Sequence, residues 1–175
     1  FMVLFRTAYT LGIEPFFFSH SKEENAPQTY ATITKYFVIA GSFIMLFVIV
    51  FIDILKILLV PNPSYWNAMK VVPLIILANF FLGIYTNLSV WYKIIDKTKI
   101  GAYISIAGAM ITLILNFLLI PKFSYYGSAI ATIAAYGSMM FISYYLGQKK
   151  YPIPYEINKI GAYLGISITL SALSF

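Results

Sequence analysis

Ile100–Ile120, IGAYISIAGAMITLILNFLLI, is the stretch whose reading decides the fold: it runs for 21 residues without a charge. A helix rising about 1.5 Å per residue needs about 20 apolar residues to cross a hydrocarbon core. Lipid offers no water to a bare peptide group, so such a run must be helical. Tyr36–Val60, Val71–Tyr92 and Gly127–Gly147 repeat the pattern, and Phe1–Phe18 and Ile160–Phe175 are further runs that meet the ends of the chain. The expectation is an all-α, polytopic transmembrane helix bundle of five to six spans.

Composition points the same way. Apolar residues make up 61% of the chain and charged residues 10%, against about 25% charged in a soluble domain. This excludes a soluble fold. There is no cysteine, hence no disulfide framework and no thiolate metal site. The chain opens with Phe in what reads as mid-helix, so it is expected to be a fragment of a longer polytopic protein.

The net charge of +6 would suggest nucleic acid in a soluble protein. Here its placement gives it another meaning. Alternate connections carry Lys22 and Lys35, then Lys93, Lys97 and Lys99, then Lys149, Lys150 and Lys159; the others carry Lys56, Lys70 and Lys122. By the positive-inside rule, loops 19–35, 93–99 and 148–159 are expected in the cytoplasm. Tyr65-Trp66, Trp91-Tyr92, Tyr125-Tyr126 and Tyr144-Tyr145 are expected at water–lipid interfaces, the level that amphipathic rings prefer. Pro61, Pro63, Pro121, Pro152 and Pro154 fall in predicted loops, where a missing N–H costs little, while Pro15 and Pro73 are expected to kink spans.

Polar residues inside the runs are the candidates for function. Gly101, Ser105, Gly108, Thr112 and Asn116 are spaced by four, three, four and four, which gathers them in one arc of a helix. Lipid has no use for such a stripe, so it should face helices or a cavity. Gly127, Ala131, Ala134 and Ser138 form a smaller strip that close helix packing explains without a ligand. Asn79, Gly83, Thr86 and Asn87 share a face of Val71–Tyr92. Two asparagines in a span are costly unless paired or wetted, and interhelical hydrogen bonds and a cavity lining explain them equally well. Arg6 and Glu14 are sharper, because a charge near the bilayer centre costs about 2.5–3.5 kcal/mol even on the lenient insertion scale. They stand two turns apart, offset by about 80°, so they are not a tight i,i+4 pair. Asp53 and Lys56 read as an interfacial i,i+3 pair.

Other chemistry lacks its residues. The one histidine, His20, lies in a loop with no second ligand for zinc. There is no Gly-rich phosphate loop, no H-E-x-x-H and no G-x-S-x-G. No enzyme activity, cofactor, metal or nucleic-acid partner is expected. Ile100-Gly101-Ala102-Tyr103 recurs as Ile160-Gly161-Ala162-Tyr163 after a lysine-bearing loop, which would suit a transporter built from repeated helix pairs.

Four stretches resemble a known family. Trp91-Tyr92-Lys93 followed by Asp96-Lys97-Thr98 resembles a cytoplasmic turn of bacterial polysaccharide transporters. Asn116 through Leu119-Ile120-Pro121, leading to Tyr126-Gly127-Ser128-Ala129 and Ala131-Thr132, is similar to the O-antigen and oligosaccharide flippases of the multidrug/oligosaccharidyl-lipid/polysaccharide exporter superfamily. Glu14-Pro15-Phe16-Phe17-Phe18 and Gly147-Gln148-Lys149-Lys150, with Tyr151-Pro152-Ile153, are similar as well. The resemblance implies a protein of about 12 to 14 helices in two pseudo-symmetric bundles, this chain belonging to the C-terminal one, that works by alternating access. It implies an undecaprenyl-diphosphate-linked oligosaccharide as substrate, moved across the bacterial cytoplasmic membrane for polysaccharide or lipopolysaccharide synthesis, with a polymerase or assembly proteins as partners. Arg6, Glu14, Asn79, Asn87 and Asn116 are then the expected cavity residues, with Arg6 drawing the diphosphate and Glu14 carrying a coupling ion. A multidrug or cation exporter of the same superfamily, and a non-transporting membrane scaffold, are the alternatives.

Overall fold

The structure, a computed structural model, describes residues 1–173, with the side chains of Ser64, Tyr65, Asn67, Ala172 and Leu173 excepted. The interfacial role expected of Tyr65 and the close of the last predicted span at Ser174-Phe175 lie outside the described residues. The chain is all-helical among those described. The α-helices are α1 (Met2–Ser19), α2 (Ala26–Val50), α3 (Ile52–Leu59), α4 (Val72–Leu88), α5 (Val90–Ile94), α6 (Thr98–Phe123), α7 (Tyr125–Lys150) and α8 (Ile157–Leu173), with a 3-10 segment at Pro63–Val71. Among the described residues, Ala26–Val50, Ala68–Ile94, Thr98–Phe123 and Tyr125–Lys150 are long and apolar enough to cross a membrane. The remaining two expected spans, α1 and α8, are shorter at 18 and 17 residues.

Several expected boundaries move, each for a local reason. The span expected to begin at Tyr36 begins at Ala26, so the expected loop 19–35 shrinks to residues 20–25. Pro27 fits the first helical turn, where its N–H has no partner to lose. Beyond it Tyr30, Ala31 and Thr34 turn inward. Pro121, expected in a loop, lies in the last turn of α6, and Ser124 alone joins α6 to α7. Ser124 takes φ 51°, and its N–H closes on the Ile120 carbonyl at 2.8 Å. A Cβ on Gly127 would stand 2.6 Å from the Leu119 carbonyl carbon, so only glycine lets the two helices fold back this tightly. Trp91 and Tyr92, expected at an interface, are buried. The Trp91 indole N–H donates to the Ser143 carbonyl at 3.1 Å, and Ser143 Oγ donates to the Leu88 carbonyl at 3.0 Å. Those two bonds tie α4–α5 to α7.

Packing follows a row. α7 lies between α6 and α4, α4 packs on α2, and α2 packs on α8; α1 lies across α2 and α4. Two aromatic rings lock α2 to α4 reciprocally. Phe37 of α2 sits on Gly83 of α4, and Phe80 of α4 sits on Gly41 of α2; a Cβ on either glycine would come within 2.5 Å of the ring. Phe37 and Phe80 are accordingly sealed from solvent. The outer face of α6 stays open, with Tyr103, Ile106, Leu113 and Phe117 exposed. That is the composition of a lipid-facing surface.

The antiparallel helices sort the connections onto two ends. Phe17, Ala26, Tyr30, Trp91, Tyr92 and Ile153 meet in one cluster, so the connections at 20–25, 95–97 and 151–156 share an end. Eight lysines gather there; Lys56, Lys70 and Lys122 belong to the other. At the basic end Lys35 of α2 and Lys159 of α8 both pair with Glu156. The hydrogen bond from Lys159, then that from Lys35, holds the Glu156 carboxyl below the usual carboxylate range.

Gly41→Ala and Gly83→Ala should each destabilise the bundle by about 1–3 kcal/mol, the usual cost of overpacking. Gly161→Ala, where nothing approaches the new methyl, should be neutral; thermal unfolding in detergent measures all three. Glu156→Gln should lower stability only where the native carboxyl is ionised. A depressed acid stabilises fully above its unfolded pKa, so the difference should be constant above about pH 5 and fade as pH falls through the lowered folded value. A difference that ignores pH would assign the contact to packing.

Candidate functional site

α1 presents Met2, Arg6, Tyr9, Ile13 and Phe17 along one face, spaced by four, three, four and four. Met2 and Phe17 are buried at its two ends. At the basic end the Phe17 carbonyl accepts from Tyr30 Oη at 2.9 Å. Arg6 stands in the middle of that face. Its Cγ lies 3.6 Å from where a Gly83 Cβ would be, beside the Phe37 ring. Phe37 is close to the midpoint of α2, about 16 Å along the axis from Ala26 at 1.5 Å per residue. Arg6 is therefore level with the middle of α2. Its Nε is buried without a hydrogen-bond partner, and among the described residues no carboxylate pairs with its guanidinium.

One turn further along α1, Tyr9 Oη donates to Asn87 Oδ1 at 2.6 Å, and Asn87 Nδ2 donates to the Gly83 carbonyl at 3.1 Å. Asn87 is 1% exposed. Both halves of its amide are thus satisfied. Below this bond a narrow cleft of about 10 Å³, lined by Tyr9, Ile13, Glu14, Thr86, Asn87 and Lys93, has the room of about one water. Glu14 and Lys93 close its lower side as an ion pair between α1 and α5. Glu14 thus finds its counter-charge in Lys93 and not in Arg6, which lies two turns away on another flank of the helix.

Three expected site residues, Arg6, Glu14 and Asn87, thus meet along one seam between α1 and α4–α5. Asn79 does not join them: its Nδ2 returns to the Ile75 carbonyl of its own helix at 2.9 Å. Asn116 lies on α6, which packs on α7 rather than on α1, and its Oδ1 is buried without a partner. The stripe leading to it divides. Gly101 accepts the Tyr92 ring and Gly108 accepts Met139, so these turns are packing surface, whereas Ser105 is exposed. Thr112 returns its hydroxyl to the Gly108 carbonyl at 2.9 Å. The Gly127 strip of α7 is buried at Gly127 and Ala131. Asp53 and Lys56 pair within α3.

Two members of the seam escape a reading of the sequence. Lys93 counts there as one of several topology lysines. Tyr9 stands three residues after Arg6, the spacing of a shared face, but Tyr is ordinary in a span. Glu14→Lys and Lys93→Glu should each lower stability by up to about 1 kcal/mol, since the pair is partly exposed and screened. The double exchange should restore it. Asn87→Leu should cost more, about 1–3 kcal/mol, by stranding the half-buried Tyr9 hydroxyl. Thermal unfolding of the four variants in detergent separates these contributions.

The seam belongs to a bundle with relatives. No curated protein and no solved structure matches the chain. A MatE family profile matches residues 12–118, more than half of it, from the lower half of α1 through α2 and α4 to most of α6. Glu14, Asn79, Asn87 and Asn116 fall within the match, and Arg6 lies just before it. Helices of membrane-crossing length, short connections and this match together assign the chain to the MatE family of membrane transporters.

Proposed function

We propose that this chain forms part of a flippase that moves an undecaprenyl-diphosphate-linked oligosaccharide across the bacterial cytoplasmic membrane by alternating access, for polysaccharide or lipopolysaccharide synthesis. The observation that carries the reading is Arg6: an arginine level with the middle of α2, its Nε buried without a partner and, among the described residues, with no carboxylate beside its guanidinium. Such a group is costly to keep unless an anion uses it. A guanidinium offers a planar fork of donors that matches phosphate oxygens two at a time. The absence of a side chain at Gly83 leaves room for the Arg6 stem beside α4. The basic end faces the cytoplasm in this reading, so the diphosphate starts beside Lys93 and climbs toward Arg6.

The state of the carboxylates favours an anionic cargo over a cationic drug. A cation exporter needs an uncompensated carboxylate at depth. Among the described residues Glu14 and Asp53 are the carboxylates within helices, and each is paired with a lysine. In the same reading Glu14 exchanges its partner during the cycle: protonation or ion binding at Glu14 releases Lys93 and frees α1 to rock. Asn87 and Tyr9 then act as the pivot, and Asn79 and Asn116 contribute to the wider cavity wall.

Arg6→Ala should reduce outward movement of lipid-linked oligosaccharide by about 10- to 100-fold, the worth of one charge-assisted hydrogen bond of about 1.5–3 kcal/mol. Arg6→Lys should retain part of it. The measurement is the leaflet distribution of the lipid-linked sugar in cells, divided by the abundance of the protein. Equal loss of transport and abundance would make Arg6 a structural residue; unchanged flipping would remove the diphosphate reading.

A further inference from the structure

On the flank of the bundle away from α1, α6 and α7 border an open apolar groove of about 310 Å³. Ile100, Ile104 and Ala107 of α6, with the exposed Tyr103 beside them, form one wall, Ile142 and Leu146 of α7 the other, and Lys150 stands at the mouth. The spacing runs four and three on α6 and four and four on α7, so both walls follow the helix axes for about two turns. The mouth opens at the basic end, where α6 begins and α7 finishes.

The lysines at that end divide into paired and unpaired. Lys93 pairs with Glu14, and Lys35 and Lys159 share Glu156. Lys97, Lys99, Lys149 and Lys150 make no ion pair among the described residues, and Asp96 in the adjoining turn pairs with none of them. Lys149 is held instead over the Tyr145 ring, 4.3 Å from its centroid. That contact pins an ammonium at the height where an amphipathic ring meets lipid headgroups. Lys150 thus stands at the mouth of the groove, Lys149 adjoins it in the chain, and Lys97 and Lys99 lie just before Ile100.

We infer that this groove is a binding site for an anionic glycerophospholipid, one acyl chain lying between α6 and α7 and its phosphate held by Lys150 with Lys149 and Lys99. Basic residues at the membrane surface attract anionic lipid by about 1 kcal/mol each, and the slot adds the chain-packing contacts that a flat surface lacks. A soluble phosphate would satisfy the lysines and leave the slot unfilled. A second copy of the chain fits worse: a two-fold contact would set the same four lysines against one another. The site is independent of the proposed flippase activity, because it involves neither α1 nor α4 and is read by binding alone.

The test uses the purified full chain in detergent, with phosphatidylglycerol, phosphatidylcholine of the same chains, or inorganic phosphate added. Retained lipid is counted by native mass spectrometry and protection by the thermal unfolding temperature. Phosphatidylglycerol should be retained about tenfold more than phosphatidylcholine and should raise the unfolding temperature, whereas inorganic phosphate should do neither. K149Q/K150Q, on exposed positions where folding is safe, should abolish the preference. Ala107→Trp, which fills the slot, should abolish retention of both lipids. Equal retention of the two lipids by the native chain would overturn the inference. So would protection by inorganic phosphate, which would mark a soluble-anion site. An A107W chain that folds and still selects phosphatidylglycerol would reduce the effect to surface charge and overturn the groove.

Discussion

The bundle depends on aromatic rings seated on glycines. In water, helices associate because burial removes apolar surface from solvent; in lipid that driving force is absent, and association rests on close packing and on hydrogen bonds between helices. Gly41 and Gly83 let Phe80 and Phe37 enter the opposite helix as far as its backbone. Gly101 does the same for Tyr92, and Gly147 lies beneath the Trp91 indole. A methyl at any of these sites would fall inside the contact distance of the ring. The same seat at Gly83 determines where Arg6 lies, so the packing device and the candidate site share one residue.

Hydrogen bonding is the second constraint, and the structure meets it with economy. Thr34, Thr86, Thr112, Thr132 and Ser138 each return their hydroxyl to the carbonyl four residues earlier. Such groups need no partner helix. Ser143, Trp91 and Tyr9 instead cross between helices. Against this background the buried atoms without partners stand out: Arg6 Nε, Ser42 Oγ, Asn116 Oδ1 and Tyr155 Oη. A burial of this kind costs about 1–3 kcal/mol per group. Two of the four, Arg6 and Asn116, are residues that the sequence pattern marks as candidates for a cavity.

What could be read in advance was what the bilayer dictates. Uncharged runs of about 20 residues specify helices whatever their neighbours are, so α6 and α7 were legible almost whole. Their ends were not. The onset of α2 is hidden because Gln28, Thr29 and Thr32 are polar while Tyr30, Ala31 and Thr34 beside them pack inward. The turn at Ser124 is hidden because Pro121 and Lys122 look like a loop. In the site, Arg6, Glu14 and Asn87 could be found because polarity in a span is conspicuous. The Glu14–Lys93 pairing could not, since a sequence gives charges without depth and α1 meets α5 only through the folded arrangement of α2 and α4. Trp91 shows the opposite error: a ring assigned to the interface by type became a buried tie because Gly147 of α7 leaves room for it.

The single-residue link at Ser124 has a consequence for biogenesis. With one residue between Phe123 and Tyr125 there is no slack for one helix to settle in the bilayer while the other waits in water. α6 would enter with Met139 and Gly108 already in register, and the pair must partition sideways into lipid as one body. Lengthening that link would uncouple the two events, leaving the first helix to explore wrong neighbours before its mate arrives.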